Sequence, residues 1–510
     1  MDEHFLPSCL ARKEHLDYEC KPIYSLTQLL KWTPNETEKQ LFNNVPDMKQ
    51  STALDGPKVL LCHDMKGGYL DDRFVKGCED KDAFTFFHWS KIDHFVYFSH
   101  YLVTIPPITW TTAAHHNGVL VMGTFITEGD GGAEICKVLF SSEEVMHSAA
   151  RRLVDVAMHY KFEGWLLNIE NEILEEHVDL LIKFIRLLTN MMHENIKGSK
   201  VIWYDSVISS GKLKWQNELN SLNSCFFNEC DGIFLNYCWK DEHLQRSLDF
   251  SKQKNRQYDV FVGVDVFGRG CYGGGGMNTN LAINKINQFD LSLAIFAFGW
   301  VHETLGKENF HENQQKFWSS LELKTRRLFC TLPFESNFCR GFGKFYFKNG
   351  LIVNDREWCN LSLQDTLVTN YGSYCIDDGF EGGGCLSISE SYDPLLECQI
   401  LVPANGCLIF ILYKPLNQSI CTNIVGKHDG SEKKLILYPL SLEKQNKLNF
   451  LQDYNIITEV GINGWNTATF WLKNEDIEVI NGIYVTAGGK EESKTSLLLG
   501  KIKVTRSRHM

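Results

Sequence analysis

The chain of 510 residues lacks any hydrophobic run long enough for a membrane-spanning helix. Such a helix needs about 20 consecutive apolar residues. The first five residues, MDEHF, also lack the basic segment followed by an apolar core that marks a secretory signal. We therefore expect neither membrane insertion nor secretion.

The sequence also lacks CxxC pairs, although it contains 17 cysteines. An odd number without regular spacing matches neither a disulfide framework nor a common zinc site. Reduced thiols favour the cytosol as the compartment. The Asn-x-Ser/Thr triplets at Asn35, Asn360 and Asn417 would not be glycosylated there.

Positive charge is the scarcer sign, since 51 lysines and arginines face 63 aspartates and glutamates, for a net charge of -12. This balance argues against nucleic acid or an anionic membrane as the main partner. The length predicts two or three domains. A neutral substrate fits this composition best.

Eight short apolar runs recur at intervals in the first 300 residues. Most are nearly continuous in hydrophobicity, which is typical of parallel strands covered on both faces. The runs are 58–65, 94–101, 119–126, 165–171, 200–207, 231–237, 259–267 and 293–300. Segments with helical spacing lie between several of them, at 142–160, about 172–195, 241–252, 280–288 and 311–328.

Eight strands alternating with helices over ~270 residues predict a (β/α)8 TIM barrel. The competing doubly wound sheet would need a GxGxxG turn after its first strand, and the sequence there is HDMKGGYLDD. From about 330 the pattern changes to strands without helices, which predicts a β-sandwich or two small ones. We expect a lead-in over 1–55, a catalytic barrel over 56–329 and a β-sandwich accessory region over 330–510.

The run WLLNIEN at 165–171 presents Asn168 and Glu170 on one face of a strand, because alternate residues point to the same side. Most glycosidases use two carboxylates. Here an amide stands beside a single carboxylate. An amide can orient the 2-acetamido group of N-acetylglucosamine, whose carbonyl oxygen then attacks the anomeric carbon, while Glu170 acts as general acid and then base. We expect an apolar setting that raises the pKa of Glu170.

Chance alone would supply about one Asn-x-Glu triplet in a chain of this size. Its place at the end of the fourth of eight predicted strands is what gives it weight, because barrel enzymes act at strand ends. Other strand ends carry polar and aromatic groups that suit a sugar. They are His63, Asp64, Ser99, His100, Thr124, Tyr204, Asp205, Asn236, Tyr237, Asp265, Phe267 and Trp300. We expect Trp110, Trp215 and Trp239 in loops.

Several side chains have two interpretations. Glu172 would point to the same side of the strand as Glu170 if the strand continued. We favour the interpretation that it lies in the first turn of the following helix, where a negative charge is stabilising. Asp265 could bind a sugar hydroxyl or pair with Arg269. The glycines at 273–276 could cradle a phosphate, yet no Lys-Ser/Thr follows, so a loop over the cleft is favoured.

A metal-dependent hydrolase is one alternative function, because His63, Asp64 and His100 could meet at the barrel mouth and His115-His116 form a pair. No ligand spacing of a known site supports it, so we expect neither metal nor cofactor. The other alternative is a glycan-binding barrel without turnover. Loss of the acid would mark such a lectin, and Glu170 is present.

The chain resembles the cytosolic endo-β-N-acetylglucosaminidases of glycoside hydrolase family 85. The similar segments run in order from about 60 to 305. They are LLCHDMKGGY (60–69), FTFFHWSKIDHFVYFSHYLVTIPP (84–107), NGVLVMGTFITE (117–128), FEGWLLNIEN (162–171), VIWYDSV (201–207), IFLNYCW (233–239) and VFVGVDVFGRG (260–270).

The resemblance implies retaining hydrolysis of the GlcNAc-β1,4-GlcNAc core linkage through an oxazoline, with transfer to sugars as a side reaction. It implies N-glycans as partners, free or on glycopeptides and misfolded glycoproteins. It assigns Asn168 as acetamido orienter, Glu170 as acid/base and Tyr204 beside the acetamido group. Candidate substrate-binding residues are Trp239, Phe267, Trp300, Asn236 and Asp265.

Overall fold

The computed structural model describes residues 18–51, 56–366, 373–388, 395–414, 419–438, 463–488 and 497–507. The triplet at Asn417 and the first residues of the predicted lead-in lie outside these ranges. Within the described residues, the helices are too short or too polar to cross a membrane.

Eight parallel strands close into a barrel, which confirms the eight strands predicted from the apolar runs. The first pairs with the last, and a short antiparallel strand, β3 (Val103–Thr104), lies beside β4. The barrel strands are β1 (Val59–His63), β2 (His94–Tyr97), β4 (Leu120–Glu128), β5 (Gly164–Glu170), β6 (Lys200–Tyr204), β7 (Gly232–Leu235), β8 (Val260–Asp265) and β9 (Ser292–Phe296). Asn168 and Glu170 therefore lie on the fourth barrel strand, as predicted.

The strands bury both faces, which explains their continuous hydrophobicity. Alternate residues such as Leu60, Leu166 and Ile202 fill the barrel interior. The residues between them, such as Leu61 and Trp203, pack in the layer between strands and helices. This alternation decides which side chains at the strand ends face the barrel mouth.

Helices cover the outside of the barrel and pack on the outward strand residues. They are α3 (Ile108–His116), α4 (Gly129–Leu139), α5 (Glu143–Tyr160), α6 (Val178–Asn195), α7 (Ser224–Phe227), α8 (Asp241–Lys252), α9 (Thr279–Ile286), α10 (Trp300–Leu305) and α11 (Phe310–Ser320). The Ser142 hydroxyl accepts a hydrogen bond from the Val145 N–H and caps α5. The helix begins at Glu143, one residue later than predicted.

The helix predictions differ from the structure at several places. Helix α6 begins at Val178 rather than near 172, after a single 3-10 turn over Glu175–His177. Helix α11 ends at Ser320 rather than 328. The prediction that Trp110 lies in a loop is wrong, because Trp110 is buried within α3 and its indole N–H donates to Asp72 at 2.8 Å.

The segment before the barrel contains two short helices, α1 (Leu26–Lys31) and α2 (Glu36–Phe42). They pack on α5: the Tyr160 hydroxyl donates to Glu38 at 2.9 Å, and the Phe42 ring meets the Tyr160 ring at 4.8 Å between centroids. The described part of the predicted lead-in is thus folded onto the barrel wall.

Among the described residues after α11, the regular elements are strands, apart from one 3-10 turn over Leu361–Leu363. The strands are β10 (Leu328–Phe329), β11 (Phe334–Ser336), β12 (Phe342–Gly343), β13 (Tyr346–Lys348), β14 (Leu351–Asn354), β15 (Trp358–Cys359), β16 (Ser373–Cys375), β17 (Cys385–Ile388), β18 (Leu396–Leu401), β19 (Cys407–Lys414), β20 (Ser419–His428), β21 (Ser431–Leu437), β22 (Asn466–Leu472), β23 (Val479–Gly488) and β24 (Leu497–Arg506). Two sheets, β10-β18-β23-β20-β21 and β16-β17-β24-β19-β22 with β11 beside β24, share one core. This arrangement is a β-sandwich, as predicted.

The segment around residues 359–364 joins this region to the barrel. The Gln364 side chain accepts from the Trp89 indole at 2.8 Å and donates to the Phe86 carbonyl at 2.7 Å. Asn360 is 1% exposed and donates to the Val75 carbonyl at 2.9 Å, so its glycosylation triplet is buried. The predicted boundary at 329 stays a prediction.

Candidate active site

A cleft of about 390 Å³ opens at the carboxyl ends of the barrel strands. Its walls combine hydrogen-bonding groups with aromatic and apolar surface, which is the combination that a sugar requires. The polar and charged lining includes Asp64, His100, Asn168, Glu170, Asn236 and Arg269. Phe98, Leu166, Phe234 and Phe296 supply apolar surface, and Trp215 adds an indole that is 40% exposed.

Asn168 and Glu170 lie side by side in this cleft. They share the interior parity of Leu166, so the strand that fills the barrel core also aims both groups at the mouth. The Asn168 amide donates to the Glu170 carboxylate, with 3.3 Å between Nδ2 and Oε2. Asn168 is 3% exposed, and its amide is therefore fixed relative to the carboxylate.

The pKa of Glu170 is raised, as expected from the sequence. Burial is the largest cause, because it disfavours the charged form, and the negative charge of Glu128 adds to it. Hydrogen bonds from Asn168 and from the Trp215 indole, together with the charge of His100, act in the opposite direction. The carboxyl group can therefore hold a proton that an ordinary glutamate would have lost.

Tyr204 faces the same cleft from β6. Its hydroxyl donates to Asn236 Oδ1 at 3.0 Å, and the Asn236 amide donates to Asn217 Oδ1 at 2.9 Å. Burial, followed by the nearby charges of Glu170 and Asp205, raises the Tyr204 pKa far above its ordinary value. The phenol is therefore a neutral hydrogen-bond donor at any working pH.

Asp205 does not reach the cleft but holds the loop that carries Trp215. It is fully buried, and its carboxylate accepts from the backbone N–H groups of Gln216 and Asn217 and from the Asn223 amide, at 2.7 to 3.2 Å. Burial raises its pKa to about 6. The loop over 214–223 is thus positioned by one carboxylate at the end of β6.

We expect Asp205→Asn to lower the free energy of unfolding by about 1–3 kcal/mol, because an amide nitrogen replaces one acceptor oxygen and leaves a buried donor unpaired. Urea unfolding and protease cleavage within 214–223 measure the effect. Asp249→Asn is the matched control, since it makes the same substitution at an exposed carboxylate of α8 that accepts from the Gln245 amide. Equal stability and cleavage in the two variants would contradict this role.

Asp265 pairs with Arg269, which is one of the two interpretations that the sequence left open. The Arg269 Nε donates to Asp265 Oδ2 at 2.8 Å, and the Phe267 and Arg269 backbone N–H groups donate to the same carboxylate. Asp265 is fully buried, whereas the Arg269 side chain is 66% exposed and lines the cleft. The structure thus brings the arginine, not the aspartate, to the surface of the cleft.

The three aromatic residues predicted to bind substrate lie outside the residues that line this cleft. Trp239 is 3% exposed; its indole donates to the Gly263 carbonyl at 2.8 Å and its ring stacks on Tyr272. Phe267 is exposed beside the Arg269 guanidinium. Trp300 begins α10 and packs under the backbone of Gly276. Their contacts with substrate stay predictions.

The histidines considered above as possible metal ligands lie in different parts of the structure. His63 lies outside the catalytic cleft, in a second cavity among aromatic rings, and burial lowers its pKa to about 3. His115 lies in α3, paired with Glu163 at 2.9 Å. Among the residues that the structure describes, the group able to offer three metal ligands is His428, Asp429 and Glu478, in the β-sandwich.

Sequence reasoning did not single out Glu128, Leu166 or Phe234, and it named Arg269 only as a possible partner of Asp265. For the first three of them, the alternation of side chains along a strand could have served as a signal. Leu166 points to the same side of its strand as Asn168, and Phe234 to the same side as Asn236. Glu128 ends β4 in register with Glu170. Arg269 follows β8 in a loop, where no periodicity applies.

A family model described as "Glycosyl hydrolase family 85" matches residues 69–346. A protein named cytosolic endo-beta-N-acetylglucosaminidase from Danio rerio is 39% identical, covering 92% of this chain and 70% of its own length. The Homo sapiens protein of that name is 40% identical over 80% of this chain and 56% of its own. The chain thus spans between about half and two thirds of the length of these relatives.

Among solved structures, the glycoside hydrolase domain of Endo-D from Streptococcus pneumoniae R6 has a similar fold. Its TM-score is 0.77 with 19% identity, and the match covers 96% of this chain and 83% of that one. The family model matches 278 of the 510 residues, which is more than half of the chain. The chain belongs to glycosyl hydrolase family 85.

Proposed function

We propose that the protein is an endo-β-N-acetylglucosaminidase that hydrolyses the GlcNAc-β1,4-GlcNAc linkage of N-glycan cores and leaves one GlcNAc on the peptide. The observation that carries the proposal is the hydrogen-bonded pair of buried Asn168 and half-buried Glu170 in a cleft with sugar-binding character. Family membership and the names of the relatives from Danio rerio and Homo sapiens support it.

In the first step the acetamido oxygen of the substrate attacks its own anomeric carbon, the bond from that carbon to the leaving oxygen breaks, and an oxazoline protonated on nitrogen forms. Glu170 donates a proton to the leaving GlcNAc oxygen, which its raised pKa permits. Asn168 hydrogen-bonds the acetamido group and holds it in the attacking geometry. The substrate therefore supplies the group that a second carboxylate supplies in other retaining glycosidases.

In the second step a water molecule opens the oxazoline. Glu170, now ionised, accepts a proton from that water, and the hydroxyl adds to the anomeric carbon on the face that the aglycone left. Two inversions at one carbon give net retention. A sugar hydroxyl in place of water would give transfer instead of hydrolysis.

Tyr204→Phe is expected to raise the ratio of transfer to hydrolysis, because the variant removes a polar group that would hold water near the oxazoline. The lost bond to Asn236 should cost about 1 kcal/mol of stability. Product analysis with and without a GlcNAc acceptor measures the ratio. An unchanged ratio with intact kcat would contradict a place for Tyr204 beside the reacting group.

We further propose the cytosol as the compartment and N-glycans on free oligosaccharides, glycopeptides or misfolded glycoproteins as substrates. The relatives are named cytosolic, and the described cysteines with placed side chains are free thiols. The catalytic unit is proposed to be the barrel of 56–329, with the β-sandwich region as its support through the segment around residues 359–364.

Proton NMR of the product during the first minutes of digestion of an Asn-linked oligosaccharide tests this mechanism. We expect the newly formed reducing end to appear as the β-anomer and only later to equilibrate. Rates should be the same with and without EDTA. Initial α-anomer would exclude the two-inversion route, and loss of activity to the chelator would favour a metal-dependent hydrolase.

A further inference from the structure

Two charged side chains border Glu170 without belonging to its strand. Glu128 is the last residue of β4 and Glu170 the last of β5, and the two are paired in register on neighbouring parallel strands. Both side chains therefore leave the barrel on the same face. His100, in the loop after β2, bonds Glu128 with 3.0 Å between Nδ1 and Oε1 and lines the catalytic cleft.

Every element packed around Glu170 contributes to its electrostatic surroundings. Its own strand offers only the neutral Asn168, and β6 offers the neutral phenol of Tyr204. Among the charged groups on other elements, Asp64 after β1, His100 after β2 and Arg269 after β8 line the cleft, and Glu128 at the end of β4 lies beside it. The charges of Glu128 and His100 shift the pKa of Glu170 in opposite directions.

We propose that Glu128 and His100 are positioning residues that set the protonation of the general acid: Glu128 retains the proton on Glu170, and His100 orients Glu128 and limits its effect. The inference rests on the proposed function. It assigns a task to a carboxylate that does not line the cleft and has no place in the two chemical steps.

The physical basis is repulsion between like charges at the end of two adjacent strands. An ionised Glu170 beside an ionised Glu128 is disfavoured, so the proton stays on the more buried of the two, which is Glu170. The Glu128 carboxylate, in turn, raises the pKa of His100 chiefly through their hydrogen bond. The Glu128 carboxylate therefore couples the protonation of Glu170 to that of His100.

This coupling predicts opposite shifts of the pH profile in two variants. Activity requires a protonated Glu170, so the high-pH limb of kcat/KM follows its pKa. Glu128→Gln keeps an oxygen that can accept the bond from His100 but removes the negative charge, and the limb should move to lower pH. His100→Gln keeps a donor for Glu128 but removes the positive charge, and the limb should move to higher pH wherever His100 is protonated.

Glu172→Gln is the matched control. This carboxylate lies two residues from Glu170 and is exposed, on a segment that leaves the strand. The same charge change there should leave the pH profile unmoved. A merely structural role for Glu128 and His100 predicts loss of activity at all pH values without opposite shifts. Two shifts of the same sign, or no shift in the Glu128 variant, would overturn the proposal.

A titration without substrate separates this proposal from the proposed function. Glutamate labelled with ¹³C at the carboxyl carbon gives a Glu170 signal that is identified by its absence in Glu170→Gln. Its midpoint should fall in Glu128→Gln and stay constant in Glu172→Gln. If the midpoint responds but no glycan is cleaved, only the proposed function fails. If glycan is cleaved but the midpoint does not respond, only this inference fails.

Discussion

Glu170→Gln is expected to lower kcat for hydrolysis of an Asn-linked oligosaccharide by about 10²–10⁴-fold or more, because general acid catalysis contributes that much. Glutamine keeps the shape of glutamate and an oxygen that can accept from Asn168 and Trp215. It cannot release a proton to the leaving oxygen. Turnover measured by chromatography of the released oligosaccharide gives the loss directly.

The control for this variant is again Glu172→Gln, which changes the same group on the exposed segment after β5. Its kcat should stay within a few-fold of the parent enzyme, and both variants should unfold at similar urea concentrations. Near-normal turnover in Glu170→Gln would remove the acid/base assignment, and with it the mechanism.

Asn168→Ala is expected to slow formation of the oxazoline by about 10²–10³-fold, comparable to the loss of one preorganised donor at a reacting group. The acetamido group would still bind but would no longer be held for attack. A supplied oxazoline already has the attacking bond in place, so its hydrolysis should suffer less. Comparing kcat for the glycan with the rate for the oxazoline isolates the orienting role.

Asn171→Ala provides the control on the opposite face. Asn171 is buried next to Cys136 and donates to the Glu172 carbonyl at 3.0 Å, away from the cleft. It should affect stability but change both rates equally. Equal damage to both steps in Asn168→Ala would assign that residue to general packing rather than to orientation of the substrate.

The strands of the barrel could be predicted because burial on both faces imposes continuous hydrophobicity, which is a local signal. Two of the helices could not be predicted in this way. Helix α4 contains three glycines in GDGGAEICKVL, and α3 contains four β-branched residues in ITWTTAAHH. Both composition patterns disfavour helices, and tertiary packing overrides them.

The candidate site likewise has a part that the sequence predicts and a part that it does not. The positions of Asn168, Glu170 and Tyr204 follow from strand parity, so the sequence brings them to one cleft. The bond from Trp215 to Glu170 depends on Asp205, which fixes a distant loop through contacts that no spacing reveals. Burial of Trp239 depends likewise on the approach of its indole to Gly263.

Mass spectrometry of a glycopeptide digested with this protein tests the central claim most directly. The account predicts a peptide that retains a single HexNAc on its asparagine and a released oligosaccharide shorter by one HexNAc than the original glycan. A peptide with aspartate at that position would indicate an amidase, and stepwise loss of terminal sugars an exoglycosidase. Either result, or an intact glycopeptide bound without cleavage, would contradict the endoglycosidase assignment.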